Sequence, residues 1–438
     1  MHQMTETLKL TTKEPLHALV ITWVLLFPLL CFASEYCFSF ENGAMNTGAG
    51  ASFAAQGMSE KSPVLRIQMV AAFLICAFLV APCIRVITAS FRRDMLIFSL
   101  PLLAGLSCIW SQNRLRTLEY TTLLLIGLAL SFYLLERFST NEILKLFLMV
   151  GTAAAISSLV VIAFFPQYGL QSRSLIALGA WQGIFSQKNT CGEAMTFLLL
   201  AGFFVEVKSP FAKVFRVAYV AVVLLIIAMS RSASAWVICA SCILFIVTMH
   251  FFARMPRKDV AVIALLLVGI AGIAGILAFK YFDVLMLAIG KDPTMTKRTI
   301  LWAGLVPSIM KHPLLGYGFM AFWQGLRGES ANIALIMNWP GESYAENGVI
   351  ELCLELGTIG VALYLLVFLR AVKDAIYCFK KKPSSTVMWY ISLLFVLAIS
   401  NIAGGVLLSP VDLKFLLPMV AFMGLRREAQ RMRSLRIA

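Results

Sequence analysis

Residues 214–253 read VFRVAYVAVVLLIIAMSRSASAWVICASCILFIVTMHFFA, and this stretch decides the fold of the chain. It holds two apolar blocks of about 20 residues each, the length that crosses a bilayer core of roughly 30 Å as a helix. A tight connection around Arg231 separates the blocks. The stretch therefore predicts two antiparallel membrane helices joined by a turn at the membrane surface.

The rest of the chain has the same apolar character. Of its 438 residues, 60% are apolar and 13% are charged, whereas soluble domains carry about 25% charged residues. This excludes a soluble multi-domain enzyme and predicts an all-α polytopic membrane protein. About twelve spans of membrane-crossing length are expected, at 16–34, 64–84, 95–111, 117–135, 143–165, 189–207, 214–230, 232–253, 259–279, 347–369, 386–407 and 412–425.

The charge pattern predicts an orientation for these spans. The net charge is +15, from 37 Lys and Arg against 22 Asp and Glu. In a membrane protein, basic residues collect in the cytoplasmic loops, so the excess does not call for a nucleic-acid partner. An even number of spans with a cytoplasmic N-terminus places most basic residues inside, including the tail RREAQRMRSLRIA. The ten cysteines lie mostly within the spans, so no disulfide framework is expected.

The connection 280–346 is too long for a simple connector. On the predicted orientation it is a periplasmic loop within a single transmembrane domain that covers residues 1–438. Near 298–311 its apolar residues recur at helical spacing and leave a polar face. We expect an amphipathic helix there, lying along the outer membrane surface.

Several basic residues lie on the predicted outer side, against the positive-inside bias. Arg231 occupies the tight turn, Arg298 and Lys297 begin the amphipathic stretch, and Arg173 and Lys188 bracket a third outer segment. Such side chains can reach lipid phosphates by snorkelling, but a guanidinium also offers a rigid fork that matches phosphate oxygens. The convergence of three segments at membrane-surface depth predicts a site for a lipid-linked phosphate or pyrophosphate.

Candidate proton acceptors lie on the same side. Glu346 precedes Asn347 and the start of a span. A carboxylate there can take a proton from a sugar hydroxyl, or it can simply stabilise the helix N-terminus. His312 can titrate near neutral pH, although a histidine before a proline at a helix end more often has a structural role. Asn347 is a candidate substrate-binding residue beside Glu346.

Other charged residues are expected to be structural. Intramembrane acids are costly unless they are paired, so Glu351 and Glu355 are expected to pack against polar neighbours. Arg114 and Arg116 have no surrounding pattern and are expected to be surface charges. The outer loops hold no acidic cluster, so a metal site is not expected.

Four segments together resemble the O-antigen ligase and polymerase family, which includes Wzy-type and ExoQ-like polymerases and WaaL-type ligases. In chain order they are GIFSQKNTCGE (183–193), SRSAS (230–234), KRTILWAGLVPSIMKHPLLGYGFMAFW (297–323) and SYAENGVIELCLELGTIG (343–360). The resemblance extends over roughly residues 165–370, where the order and spacing of the segments carry it. It implies a GT-C-like fold in the bacterial inner membrane.

The resemblance also implies a reaction. The family transfers a glycan from undecaprenyl pyrophosphate to an acceptor hydroxyl at the periplasmic face, as metal-independent inverting glycosyltransferases without a cofactor. It implies that Arg231 and Arg298 hold the pyrophosphate, with Lys188, Arg173 and Lys297 assisting. The family commonly has a histidine before Asn-Gly as the proposed base. This chain has Glu346 there, so Glu346 or His312 is the candidate base.

The sequence leaves three functions to weigh. The GYGFMAFW segment slightly favours a polymerase, whose acceptor is another lipid-linked repeat, over a ligase, whose acceptor is the lipid A core. A flippase or secondary transporter would place charges near the midplane and often has repeated halves. Here the charges gather at the outer surface, which favours surface chemistry. The expected partners are the lipid-linked donor, a glycan or lipid-linked acceptor, membrane lipids and other polysaccharide assembly proteins.

Overall fold

The computed structural model describes residues 15–34, 63–83, 95–171, 178–255, 298–337, 344–403, 407–410 and 412–435, and these are mostly helical. The first eight helices are α1 (Pro15–Ala33), α2 (Pro63–Val80), α3 (Met95–Leu106), α4 (Arg114–Arg137), α5 (Thr140–Phe164), α6 (Lys188–Phe204), α7 (Pro210–Met229) and α8 (Ala233–Arg254). The later helices are α9 (Arg298–Lys311), α10 (Ser330–Met337), α11 (Gly348–Lys381), α12 (Ser385–Ala403) and α13 (Leu413–Ser434). Short helical turns lie at Ala81–Cys83, Ser107–Ile109 and Pro166–Gly169.

A small antiparallel ribbon interrupts the helices between α5 and α6. Its strands are β1 (Leu170–Gln171) and β2 (Ala180–Trp181), with Leu170 opposite Trp181. The ribbon lies near the start of α6, because β2 contacts that helix.

The helix positions agree with the apolar blocks of the sequence. Among the described residues, five helices (α4, α5, α7, α8 and α11) are long and apolar enough to cross a membrane, by length and composition. Eleven of the predicted spans coincide with a helix, and the remaining one, 259–279, lies outside the described residues. The helical fold is confirmed for the described ranges, while the number of crossings and the GT-C-like architecture stay predictions.

Helix α6 lies at the centre of the bundle. It packs against α5, α7, α8 and α12, and almost every residue from Thr190 to its end is buried. A helix that is apolar all round is expected to be enclosed by its neighbours. Gly192 permits a close approach to α8, because a Cβ at this position would lie 2.3 Å from the Cβ of Ala235. The N-terminus of α6 is thereby held beside the turn between α7 and α8.

Helix α11 is broken at Gly357, where the backbone has φ 64° and ψ −166°. The segment 313–318, which follows α9, supplies backbone partners on both sides of the break. The hydrogen bonds run from Tyr317 N to Leu354 O (2.8 Å), Gly318 N to Glu355 O (3.0 Å), Thr358 N to Pro313 O (2.8 Å) and Ile359 N to Leu314 O (3.3 Å). Backbone groups freed by a break inside an apolar bundle must be satisfied in this way.

The prediction that Arg116 is a surface charge is wrong. Arg116 is 7% exposed, and its Nη1 donates to the carbonyl oxygen of Trp323 at 2.7 Å. The guanidinium also lies 5.7 Å from the ring centroid of Tyr120. The segment after α9 folds over the start of α4 and buries this side chain, whereas Arg114 stays exposed.

Candidate functional site

Arg298 and Glu346 meet at the centre of the candidate site. Arg298 is the first residue of α9, and Glu346 lies two residues before α11. The Nη2 atom of Arg298 donates to Oε2 of Glu346 at 2.5 Å, and the two side chains are 19% and 21% exposed. A charge-assisted hydrogen bond of this kind is stronger than a bond between neutral groups. The structure thus places a cation and a carboxylate together at a partly open position.

The backbone around Glu346 is held from several directions. Glu346 itself has a φ of 53°, a left-handed conformation that is uncommon for residues other than glycine. The N–H of Ala345 donates to Oε2 of Glu351 at 2.6 Å, and its carbonyl accepts from Nε1 of Trp302 at 2.8 Å. Asn347 caps α11, because its Oδ1 accepts from two backbone N–H groups of the first turn. Sparsely populated backbone conformations persist when the surroundings fix them in this way.

Glu351 and Glu355 contact polar neighbours, as predicted, and this expectation is confirmed. Oε1 of Glu351 accepts from Nε1 of Trp323 at 2.8 Å. Oε1 of Glu355 accepts from the backbone N–H of Met320 at 3.1 Å. Both acids are buried. They join α11 to the segment after α9 and so help to fix the position of Glu346.

Lys188 and Arg231 form the other part of the site. Nζ of Lys188 donates to the carbonyl oxygen of Arg231 at 3.1 Å, and Nη1 of Arg231 donates to the carbonyl oxygen of Leu178 at 3.2 Å. The hydroxyl of Ser232 donates to Oδ1 of Asn189 at 2.8 Å. Arg231 also has a left-handed backbone, with a φ of 50°. These contacts fasten the turn between α7 and α8 to the N-terminus of α6.

Tyr344 lies between the two parts. Its hydroxyl interacts electrostatically with the side chains of Glu346 and Gln187. Burial and the nearby charge of Glu346 raise the pKa of Tyr344 well above its ordinary range, so the phenol stays protonated. Gln187 directly precedes Lys188. Tyr344 is thus close to both the Arg298–Glu346 pair and the Gln187–Lys188 segment. We call Arg298, Glu346, Tyr344, Gln187, Lys188 and Arg231 the cation–carboxylate site.

A buried ion cluster lies behind this site. Nζ of Lys414 is 3.1 Å from Oε2 of Glu193 and 3.1 Å from Oδ2 of Asp412. Glu193 interacts electrostatically with Glu346, and Lys414 does so with Tyr344. Sequence reasoning missed this cluster, as it missed Tyr344 and Gln187. A signal existed, because Glu193 and Lys414 are charged residues inside predicted spans, which is a pointer to function.

His312 is not brought to this place. His312 directly follows α9, a helix of 14 residues and thus about 20 Å long, at the end opposite Arg298. Its ring makes an edge contact with Tyr317, with centroids 4.7 Å apart. Arg173 and Lys297 lie outside the described residues, as do residues 280–297 and 338–343 of the predicted loop 280–346. The roles of all these residues stay predictions.

Comparison with known proteins agrees with the sequence resemblance. Residues 218–365, about a third of the chain, match a family model described as O-antigen ligase. The exopolysaccharide production protein ExoQ of Rhizobium meliloti (strain 1021) is 31% identical over 91 residues, which are 20% of this chain and 21% of that protein. The aligned part spans about a fifth of the relative's length. The two findings support an O-antigen ligase/polymerase family, and the matched region includes Arg231, Arg298 and Glu346.

Proposed function

We propose that this chain, whose central region is of the O-antigen ligase/polymerase family, is a polysaccharide polymerase of the bacterial inner membrane. It transfers a glycan from an undecaprenyl-pyrophosphate carrier to an acceptor sugar hydroxyl at the periplasmic face. The observation that carries the proposal is the contact of Arg298 with Glu346 at 2.5 Å. Lys188 contacts the Arg231 turn, and Tyr344 interacts electrostatically with both Glu346 and Gln187, the neighbour of Lys188. Cations for a diphosphate and a carboxylate for a proton are thus within one site.

The reaction assigned to this site is a single displacement. Arg231 and Arg298 bind the diphosphate of the donor, and Lys188 adds a third positive charge. The acceptor hydroxyl oxygen attacks the anomeric carbon from the face opposite the diphosphate, and the bond from that carbon to the phosphate oxygen breaks. The electron pair leaves with undecaprenyl diphosphate, and Glu346 takes the hydroxyl proton. Attack from the opposite face inverts the configuration, and the step needs no metal because the cations neutralise the leaving group.

The pairing of Arg298 with Glu346 suits this displacement. The base must lie beside the acceptor hydroxyl, while the cations must lie on the side of the leaving group. Arg298 is bound to Glu346 and also has further donors on its planar guanidinium. It can therefore contact the diphosphate while it fixes the carboxylate, and this positioning contributes directly to the rate.

An O-antigen ligase is the second candidate, because the matching family model is described by that name. The chemistry at the donor is the same, and the acceptor is the lipid A core. The two functions differ in what a deletion strain accumulates. Loss of the ladder of polymer lengths indicates a polymerase, whereas long polymer retained on the carrier and absent from lipid A core indicates a ligase.

The direct test uses purified protein with a lipid-linked oligosaccharide, in the presence of a metal chelator. We expect chain growth, and we expect Arg298→Ala to lower its rate by about 10²–10³-fold, as does the loss of one preorganised donor at a developing charge. Arg114→Ala is the matched control, because Arg114 is exposed and its side chain donates to the carbonyl oxygen of Ile109 at 3.4 Å, away from the cation–carboxylate site. Wild-type chain growth by the Arg298 variant would refute the proposal.

A further inference from the structure

Helix α9 contacts the chain just before α11 through two side chains that lie one helical turn apart. Arg298 donates to the carboxylate of Glu346, and Nε1 of Trp302 donates to the carbonyl oxygen of Ala345 at 2.8 Å. Residues four positions apart are neighbours on a helix surface. One face of α9 therefore binds both the side chain of Glu346 and the peptide group that leads into it.

The main chain of Ala345 is held on both sides. Its N–H donates to Oε2 of Glu351 at 2.6 Å, while its carbonyl accepts from Trp302, and the residue is fully buried. The other oxygen of Glu351 accepts from Nε1 of Trp323 at 2.8 Å. Because a buried polar group that loses its partner is costly, the indole N–H of Trp302 stabilises one orientation of the peptide group between Ala345 and Glu346.

This orientation matters because the peptide group leads directly into the left-handed backbone of Glu346. The φ of Glu346 is 53°, and such a conformation persists where neighbouring contacts fix it. Rotation of the peptide group before Glu346 would carry its side chain away from Arg298. The ring of Trp302 packs against the apolar cluster formed by α9, α10 and segment 317–323, so its N–H is itself held in place.

We propose that Trp302 is a positioning residue that holds the Glu346 carboxylate at the acceptor hydroxyl during glycan transfer. The inference rests on the proposed function. The diphosphate of the donor competes with Glu346 for the guanidinium of Arg298, because both are anions. The bond from Trp302 to a neutral carbonyl is not subject to that competition. It keeps Glu346 in place on α9 while Arg298 engages the donor.

The test is Trp302→Phe, which keeps an aromatic ring and removes the indole N–H. With the lipid-linked oligosaccharide as donor, we expect kcat to fall about 10- to 100-fold, the scale of a misplaced catalytic group. The donor KM should stay within about threefold of wild type, because the residues assigned to the diphosphate are retained. A residue with a merely structural role would lower the amount of folded enzyme and leave kcat per folded molecule unchanged.

The matched control is Trp110→Phe. Trp110 is half-buried like Trp302, and its Nε1 also donates to a backbone carbonyl, that of Leu315, at 3.0 Å. This contact lies outside the cation–carboxylate site, so kcat should stay within about threefold of wild type. Equal kcat per folded molecule in the two variants would overturn the proposal, and so would a Trp302→Phe enzyme in which only the donor KM changes.

A second substitution covers the case in which Trp302→Phe does not fold. Benzothienylalanine at position 302 keeps the bicyclic ring and replaces only the N–H by sulfur, so the packing of the ring is retained. The same fall in kcat is expected. A wild-type kcat in this variant would overturn the proposal.

A further readout does not depend on activity. Hydrogen–deuterium exchange of the peptide that covers residues 344–350 should be several-fold faster in Trp302→Phe than in wild type, because the turn opens more often. It should be unchanged in Trp110→Phe. Equal exchange in all three proteins would also overturn the proposal. If the wild-type protein transfers no glycan, the proposed function fails, while the exchange rates still decide whether Trp302 holds the turn.

Discussion

The break in α11 makes a quantitative prediction for Gly357→Ala. Gly357 has a φ of 64°, and a Cβ there would lie 2.2 Å from the carbonyl carbon and oxygen of Leu314. A left-handed backbone costs a residue with a Cβ roughly 1–2 kcal/mol. Overpacking against a fixed backbone adds about 1–3 kcal/mol. The substitution should therefore destabilise the protein by about 2–5 kcal/mol, because Leu314 cannot retreat without breaking the hydrogen bonds that span the break.

Gly325→Ala separates the two contributions. Gly325 has the same φ of 64°, but nothing lies within 4 Å of its Cβ position. Gly325→Ala should therefore destabilise the protein only by the cost of the left-handed backbone, roughly 1–2 kcal/mol. Thermal unfolding of the detergent-solubilised variants, followed by size-exclusion chromatography, should rank wild type above Gly325→Ala and Gly325→Ala above Gly357→Ala. Equal losses in the two variants would show that segment 313–318 does not press on the break.

Three further predictions concern buried and exposed charges. Lys414→Met leaves two buried carboxylates, Glu193 and Asp412, without their cation and should destabilise the protein by about 3–5 kcal/mol. The double variant Lys414→Met/Glu193→Gln should recover part of the lost stability. If thermal unfolding shows no recovery, the described ion cluster is contradicted. Glu351→Gln should cost about 1–3 kcal/mol, because one of two buried donors loses its acceptor, and it should slow glycan transfer more than Arg114→Ala does. Lys311 lowers the pKa of Glu329 below its ordinary range, so Glu329 stabilises the fold above about pH 5, and this is lost as the pH falls through the lowered pKa. The unfolding midpoint of wild type should exceed that of Glu329→Gln at pH 7, and the difference should shrink as the pH falls through the lowered pKa. A constant difference would count against the pair.

Hydropathy predicted the positions of the helices but not the break in α11. The apolar run that begins at 347 was expected to be a continuous span, and Gly357 does not end a helix by itself. The break depends on backbone groups of segment 313–318, which lie some forty residues earlier in the chain. Long-range partners of this kind leave no periodic signal in the sequence.

The candidate site, like the helices, was predictable in its residues but not in its long-range contacts. Residue chemistry and the family resemblance singled out Arg298 and Glu346, but their contact joins positions 48 residues apart, and no spacing rule reaches so far. The prediction that Arg116 is a surface charge was wrong for the same reason: its partner Trp323 is 207 positions away. Lys414 was detectable as a charge inside an apolar span, whereas Tyr344 had no distinguishing signal.

The left-handed backbone at Glu346 limits which amino acids can occupy that position. β-Branched residues are poorly tolerated at positive φ, while Asn, Asp and His are enriched there. The glutamate of this chain and the histidine implied by the family resemblance are thus two proton carriers that one backbone conformation can display. If Glu346 is the base, as proposed, exchange between them would change the pH range of the reaction and leave the surrounding main chain in place.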